Sequence, residues 1–156
     1  MSSKGKVLVG SDHAGYRLKE AIKLRLLESG FTVEDVGTDG DAPVDYPDFA
    51  AAVAGRVVSG ASDRGILVCG TGVGMAMAAN KVDGVRAAAA GDLESARLAR
   101  AHNDANILTL GGRITPPDLA MAIVRLFLET PFEGGRHQRR VDKIMALEGS
   151  DADAPQ

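Results

Sequence analysis

Compact apolar runs alternate along the chain with segments whose apolar residues recur every three or four positions. Val7–Val9 is such a run and predicts a first strand. From Ala14 to Ser29 the apolar positions Leu18, Ala21, Ile22 and Leu26 share one face of a helix, which Gly30 ends. Phe31–Val36 predicts a second strand, and Thr38–Asp45 an acidic loop with glycine and proline. Pro47 suits the first turn of a helix that reaches about Ser59. Three further strand–helix pairs follow: Ile66–Cys69 with Val73–Asn80, Val85–Ala89 with Leu93–His102, and Ile107–Leu110 with Pro116–Glu129. The fourth strand is the weakest, because alanine is a poor strand former. A last helix is predicted over Arg136–Leu147.

Five strands, each followed by a helix, predict a three-layer α/β/α sandwich on a parallel sheet. Residues 1–148 read as a single domain, and the small, acidic residues 149–156 as a disordered tail. In parallel sheets of this kind ligands bind beyond the carboxyl ends of the strands. That rule gathers Asp12 and His13, Cys69–Gly74, Asp92, and Gly111–Arg113 on one edge. The segment His102–Asn106, between helix four and strand five, is expected near the same edge.

Composition narrows the choice of partner. With 156 residues, 45% hydrophobic and 25% charged, the chain suits an ordinary folded domain. Aromatics make up 4% and tryptophan is absent, so there is little on which bases could stack. A net charge of −3 argues against a general nucleic-acid or anionic-membrane surface. One cysteine excludes an internal disulfide and suits a reducing compartment. No apolar run has membrane-spanning length, and Met1–Lys6 lacks an apolar signal region. The expected location is cytoplasmic, with neither nucleic acid nor membrane as partner.

The most chemical stretch is Leu67-Val-Cys-Gly-Thr-Gly-Val-Gly-Met75. Cys69 closes a strand, and Gly70, Gly72 and Gly74 follow at alternate positions before an alanine-rich helix. Such glycines let backbone N–H groups converge into an anion cradle at a helix start. A thiol at its mouth lies where positive potential favours the thiolate. The plainer alternative is a buried cysteine beside a tight turn.

Asp12-His13 sits where strand one turns into helix one. There the pair would bind sugar hydroxyls or move protons, or Asp12 would simply cap the helix. His102 is expected at a helix C-terminus, where the dipole favours its protonated form. Arg136 and Arg140 stand four apart on the last helix and share a face, a clamp suited to a phosphate dianion, unless the face is only solvated or salt-bridged.

Other chemistries fit poorly. In Gly70-Thr-Gly-Val-Gly74 the third glycine comes one residue early for a dinucleotide fingerprint, and the loop follows the third strand instead of the first. No phosphate-loop Lys-Ser pair is present. Although His13, His102 and Cys69 could meet in space, no paired metal-ligand spacing occurs, so no metal is expected.

Taken together, these segments resemble the ribose-5-phosphate isomerase B family, which is related to galactose-6-phosphate isomerase subunits. The likeness runs through Gly10-Ser-Asp-His-Ala-Gly15, Asp45-Tyr-Pro47, Cys69–Met75, Ala79-Asn-Lys81, His102-Asn-Asp-Ala-Asn106, Gly111-Gly-Arg113 and Gly134-Gly-Arg-His137 to Arg140. It implies a Rossmann-like sheet of order 2-1-3-5-4 and cofactor-free aldose–ketose isomerisation through an enediol(ate). By motif position it makes Cys69 the base, with Thr71 and the Gly70–Gly74 amides, Gly72 and Val73 among them, stabilising the enediolate oxygen. His102 would assist ring opening, Asp12, His13 and Tyr46 would bind the sugar, and Asn103 would hold a hydroxyl or the intermediate. Arg113, Arg136 and Arg140 would bind phosphate. The family forms homodimers or dimers of dimers with sites shared between subunits. Some relatives carry serine in place of Cys69 and a glutamate in place of Met75; methionine cannot act as a base, so the cysteine version is indicated. The His-Asn pair and the arginine-rich last helix favour the ribose-type branch. Ribose 5-phosphate is the expected substrate. Erythrose 4-phosphate, allose 6-phosphate or galactose 6-phosphate, or binding without turnover, are the alternatives.

Overall fold

The computed structural model describes residues 3–149. Of the expected tail, residues 150–156 lie outside the described residues. The elements run β1 (Lys6–Ser11), α1 (Tyr16–Glu28), β2 (Thr32–Asp35), α2 (Tyr46–Val58), β3 (Arg64–Cys69), α3 (Val73–Ala79), β4 (Ala87–Ala89), α4 (Leu93–Ala101), β5 (Ile107–Gly111), α5 (Pro117–Glu129) and α6 (Arg136–Met145). All strand pairs are parallel, in the order β2-β1-β3-β5-β4.

Burial follows position in the sheet. The central strands β1, β3 and β5 are almost wholly buried, as parallel strands covered on both faces must be. The edge strands β2 and β4 are only partly covered. β4 spans three alanines and is shorter than the expected Val85–Ala89; Arg86 gives its N–H to the Asn106 side chain instead.

Side chains alternate between two cores, one on each face. Val7, Val9, Ile66, Val68, Leu108 and Leu110 meet Leu18, Ile22 and Leu26 of α1 together with residues of α4 and α5, including Phe127. Leu8, Leu67, Cys69 and Ile107 meet Ala50, Val53, Ala54 and Val57 of α2 and Met75 and Ala79 of α3. Phe127 is fully buried, so truncating it to alanine would cost about 3–5 kcal/mol. Among the described residues no helix is long and apolar enough to cross a membrane.

Candidate active site

Parallel strands all end at one edge of the sheet, and three of those ends form a cleft of about 500 Å³. Asp12 and His13 follow β1, Cys69 ends β3 with Gly70–Gly74 after it, and Arg113 follows β5. Of the residues expected in a site, Asp12, His13, Tyr46, Cys69, Gly70, Thr71, Val73, Gly74 and Arg113 line this cleft; Ala14 and Met77 line it too and went unread.

The loop after β3 is shaped by its glycines. Gly72 adopts φ +84°, a left-handed conformation that other residues seldom take, and so starts α3 immediately. That turn brings the Gly72 N–H to within 3.2 Å of Cys69 Sγ, to which it donates. Val73 N–H donates to Thr71 Oγ1 at 3.3 Å, while the Gly70 and Thr71 amides have no partner among the described residues. The loop is pinned from β5: Thr109 Oγ1 donates to Gly72 O, and the Gly112 and Arg113 amides donate to Cys69 O and Gly70 O. A Cβ on Gly74 would lie 2.6 Å from the Tyr46 ring, so the glycine lets that ring close over the start of α3. Met75, which cannot serve as a base, is fully buried.

Asp12 is buried, and its Oδ1 accepts the Gly15 N–H at 3.0 Å. It closes the turn before α1 without being the helix cap, which is Gly15 itself. Asp92 is a cap: its carboxylate accepts the Ser95 N–H at the start of α4. His13 Nδ1 accepts the Val44 N–H at 3.1 Å.

His102 and Asn103 do not lie near this edge, contrary to expectation. α4 ends where β5 begins, so its last residues face the amino ends of the strands. β3 and β5 pair from Gly65–Ile107 to Cys69–Gly111. Four residues of strand, about 13 Å, therefore separate the Cys69 level from the end where His102 sits. His13 and Cys69 line the same cleft, but His102 does not join them. Arg136 and Arg140 belong to the distant edge as well, because α5 runs back from the cleft before α6 begins. Asn103 is exposed and lines a second cleft of about 480 Å³ with Arg86, Ala87 and Ile144.

At the distant edge His102, the C-cap of α4, stacks on His137 of α6. Glu133 Oε1 lies 3.8 Å from His102 Nε2 and 3.6 Å from His137 Nε2. Burial and the neighbouring His102, Arg136 and Arg140 charges push the His137 pKa below the usual imidazole range, against the pull of Glu133. These three residues are the one set among the described residues whose ligand atoms approach closely enough for a metal ion. The rings are nearly parallel, however, so their in-plane lone pairs point side by side and not to a common centre. Arg136 and Arg140 are exposed and have no acidic partner among the described residues; neither has Arg113.

Fold and cleft together define a parallel α/β protein that takes a small anionic ligand beyond its strand ends. Residues 7–144 match the model of the ribose/galactose isomerase family, and the chain belongs to that family. It is 47% identical over 143 residues to ribose-5-phosphate isomerase B of Escherichia coli (strain K12), covering 92% of this chain and 96% of the relative. The crystal structure of a ribose 5-phosphate isomerase from Thermotoga maritima superposes with a TM-score of 0.90 at 51% identity, covering 92% of this chain and 99% of that one. Ribose-5-phosphate isomerase B from Mycoplasma genitalium, solved with bound ribulose-5-phosphate, gives 0.89 at 47% identity, covering 94% and 97%.

Proposed function

We propose that the chain interconverts ribose 5-phosphate and ribulose 5-phosphate, with Cys69 as the base. The sulfur takes the proton from C2, and the C–H electron pair becomes the C1=C2 bond of an enediolate. Return of that proton to C1, with transfer of the hydroxyl proton from O2 to O1, completes a redox-neutral exchange. The observation that carries this reading is the position of Cys69 Sγ at the cleft, hydrogen-bonded by Gly72 and followed by the Gly70 and Thr71 amides, which have no partner among the described residues. Those amides and Thr71 Oγ1 serve the enediolate oxygen as an oxyanion hole does. Asp12, His13 and Tyr46 hold the sugar.

A single chain does not complete this machinery, because His102, Asn103, Arg136 and Arg140 stand at the far edge of the sheet. In this reading a second copy brings its far edge to the cleft, as a homodimer or a dimer of dimers. Its His102 then opens the sugar ring, its Asn103 holds a hydroxyl, and its Arg136 and Arg140 join Arg113 on the phosphate. The lone free cysteine and a phosphorylated substrate suit a cytoplasmic enzyme.

The test is turnover of ribose 5-phosphate in heavy water. Appearance of ribulose 5-phosphate together with deuterium on the substrate carbons supports the enediolate route. A protein that binds the sugar phosphate but neither converts it nor exchanges its C2 proton is a binder, and the proposal fails.

A further inference from the structure

Lys19, 1% exposed, is the one charged residue among the largest fully buried side chains of the described residues, and no step of the chemistry above uses it. It lies on the core face of α1, one position past Leu18 and three before Ile22. An ammonium in such a place is costly unless it is paired and fully hydrogen-bonded. Its Nζ donates to Asp35 Oδ1 at 2.8 Å, to Oδ2 at 3.0 Å and to the carbonyl of Thr38. Asp35 ends β2, and its Oδ1 also accepts the Gly37 N–H at 2.9 Å.

Those bonds fix the start of a loop that crosses the carboxyl end of β1. Ser11 N–H donates to Gly37 O at 2.6 Å, and Thr38 N–H donates to Ser11 O at 2.7 Å. The loop is thereby tied to the residue just before Asp12-His13. Farther on, the Val44 N–H reaches His13 Nδ1 at 3.1 Å. An amide proton is donated only to a nitrogen that carries none, so the ring proton of neutral His13 resides on Nε2. The Lys19 cluster and the Val44 bond thus hold one loop at two points, its root and the histidine it meets.

On the proposed isomerase reading, we infer that Lys19 is a positioning residue for His13, acting through the loop from Asp35 to Val44. The loop fixes His13 as the Nε2–H tautomer, so the ring offers the sugar phosphate a hydrogen-bond donor and does not compete with Cys69 as a base. Phosphate and hydroxyl oxygens accept such a bond, and a bare Nε2 would repel the first of them.

The two ring nitrogens of His13 are distinguished by proton–nitrogen correlation spectra of the full-length, nitrogen-15-labelled protein without substrate, with the signals assigned by their loss in His13→Gln. The expected result is a bare Nδ1 and a protonated Nε2 at neutral pH. Lys19→Met keeps the length and apolar stem of the side chain and leaves Lys23 on Asp35 at 2.9 Å, so the β2 end keeps a partner. Val44→Pro removes the donor N–H with no change at Lys19 and carries the test should Lys19→Met not fold. Either variant should give mixed tautomers and raise KM for ribose 5-phosphate about tenfold or more, with kcat little changed, as for a lost bond to a charged group. A wild-type proton on Nδ1, or variants that lose activity with the tautomer unchanged, would overturn the inference. Because the spectrum needs no substrate, failure of the isomerase reading shows in turnover and failure of this one in the spectrum.

Discussion

His102 and His137 stack face to face, their ring centroids 4.0 Å apart and their planes 13° from parallel. The buried ring covers one face of the half-exposed one, leaving His102 its other face and its edge. A group held this way on one side suits a role toward something that approaches from outside the chain.

Ring opening is that role in the proposed reaction. A five-carbon aldose 5-phosphate rests mainly as a furanose, whereas in a four-carbon aldose 4-phosphate the hydroxyl needed for that ring carries the phosphate. His102→Ala should therefore depress turnover of ribose 5-phosphate far more than that of erythrose 4-phosphate, by about 10²–10⁴-fold if general acid–base help is lost. Equal losses on the two sugars would assign His102 to enediol proton transfer or to binding.

Cys69→Ala should nearly abolish isomerisation and leave the affinity for ribulose 5-phosphate within a few-fold, since a base acts chiefly in the transition state. Calorimetric titration beside steady-state kinetics reads both quantities. Near wild-type turnover would remove Cys69 from its role.

Three arginines with no acidic partner among the described residues make a clear case for an anion. Arg113→Ala, Arg136→Ala and Arg140→Ala should each raise KM by the equivalent of about 1.5–3 kcal/mol, the loss of a charge-assisted hydrogen bond. Normal KM values in all three would put the phosphate elsewhere.

Asp35 links stability to pH. Burial works to raise its pKa, but the hydrogen bonds from Lys19, Lys23 and the Gly37 amide outweigh burial and hold it below the usual aspartate range. The folded state thus binds this proton more weakly than the unfolded chain does. The resulting stability is present above the unfolded value, about pH 4, and is lost as pH falls through the lower folded one. Asp35→Asn should lower the melting temperature at pH 7, with the gap to wild type closing below about pH 4. A gap of constant size down to pH 3 would mean that ionisation is not its source.

The fold is largely legible because the central strands carry short apolar runs, as in Ile66–Cys69 before Gly70. Strand order is not, since pairing is non-local; it comes from the family likeness of the motifs. Placement at the cleft is legible where residues end a strand or directly follow one, as Cys69 and Asp12 do. The sequence reading puts His102 at the wrong edge although element order decides it: a segment that precedes β5 lies at the amino end of a parallel strand, opposite the loops that follow strand ends. Lys19 is silent in the sequence for a different reason. Its partners are 16 and 19 residues away, so a lysine amid Leu18 and Ile22 gives no local sign of burial.

The placing of Cys69 and His102 on opposite edges makes defects in them complementary. A chain with Cys69→Ala keeps an intact far edge, and one with His102→Ala keeps an intact cleft. In the proposed homodimer, paired about a two-fold axis, the two would form one whole site and one that lacks both groups. If the chain pairs as proposed, refolding equal amounts together would make half the dimers hybrids, so about a quarter of wild-type activity on the five-carbon sugar should return from two inactive proteins. A chain carrying both lesions would rescue neither parent, and if the mixture stayed silent the two groups would not share a site across subunits.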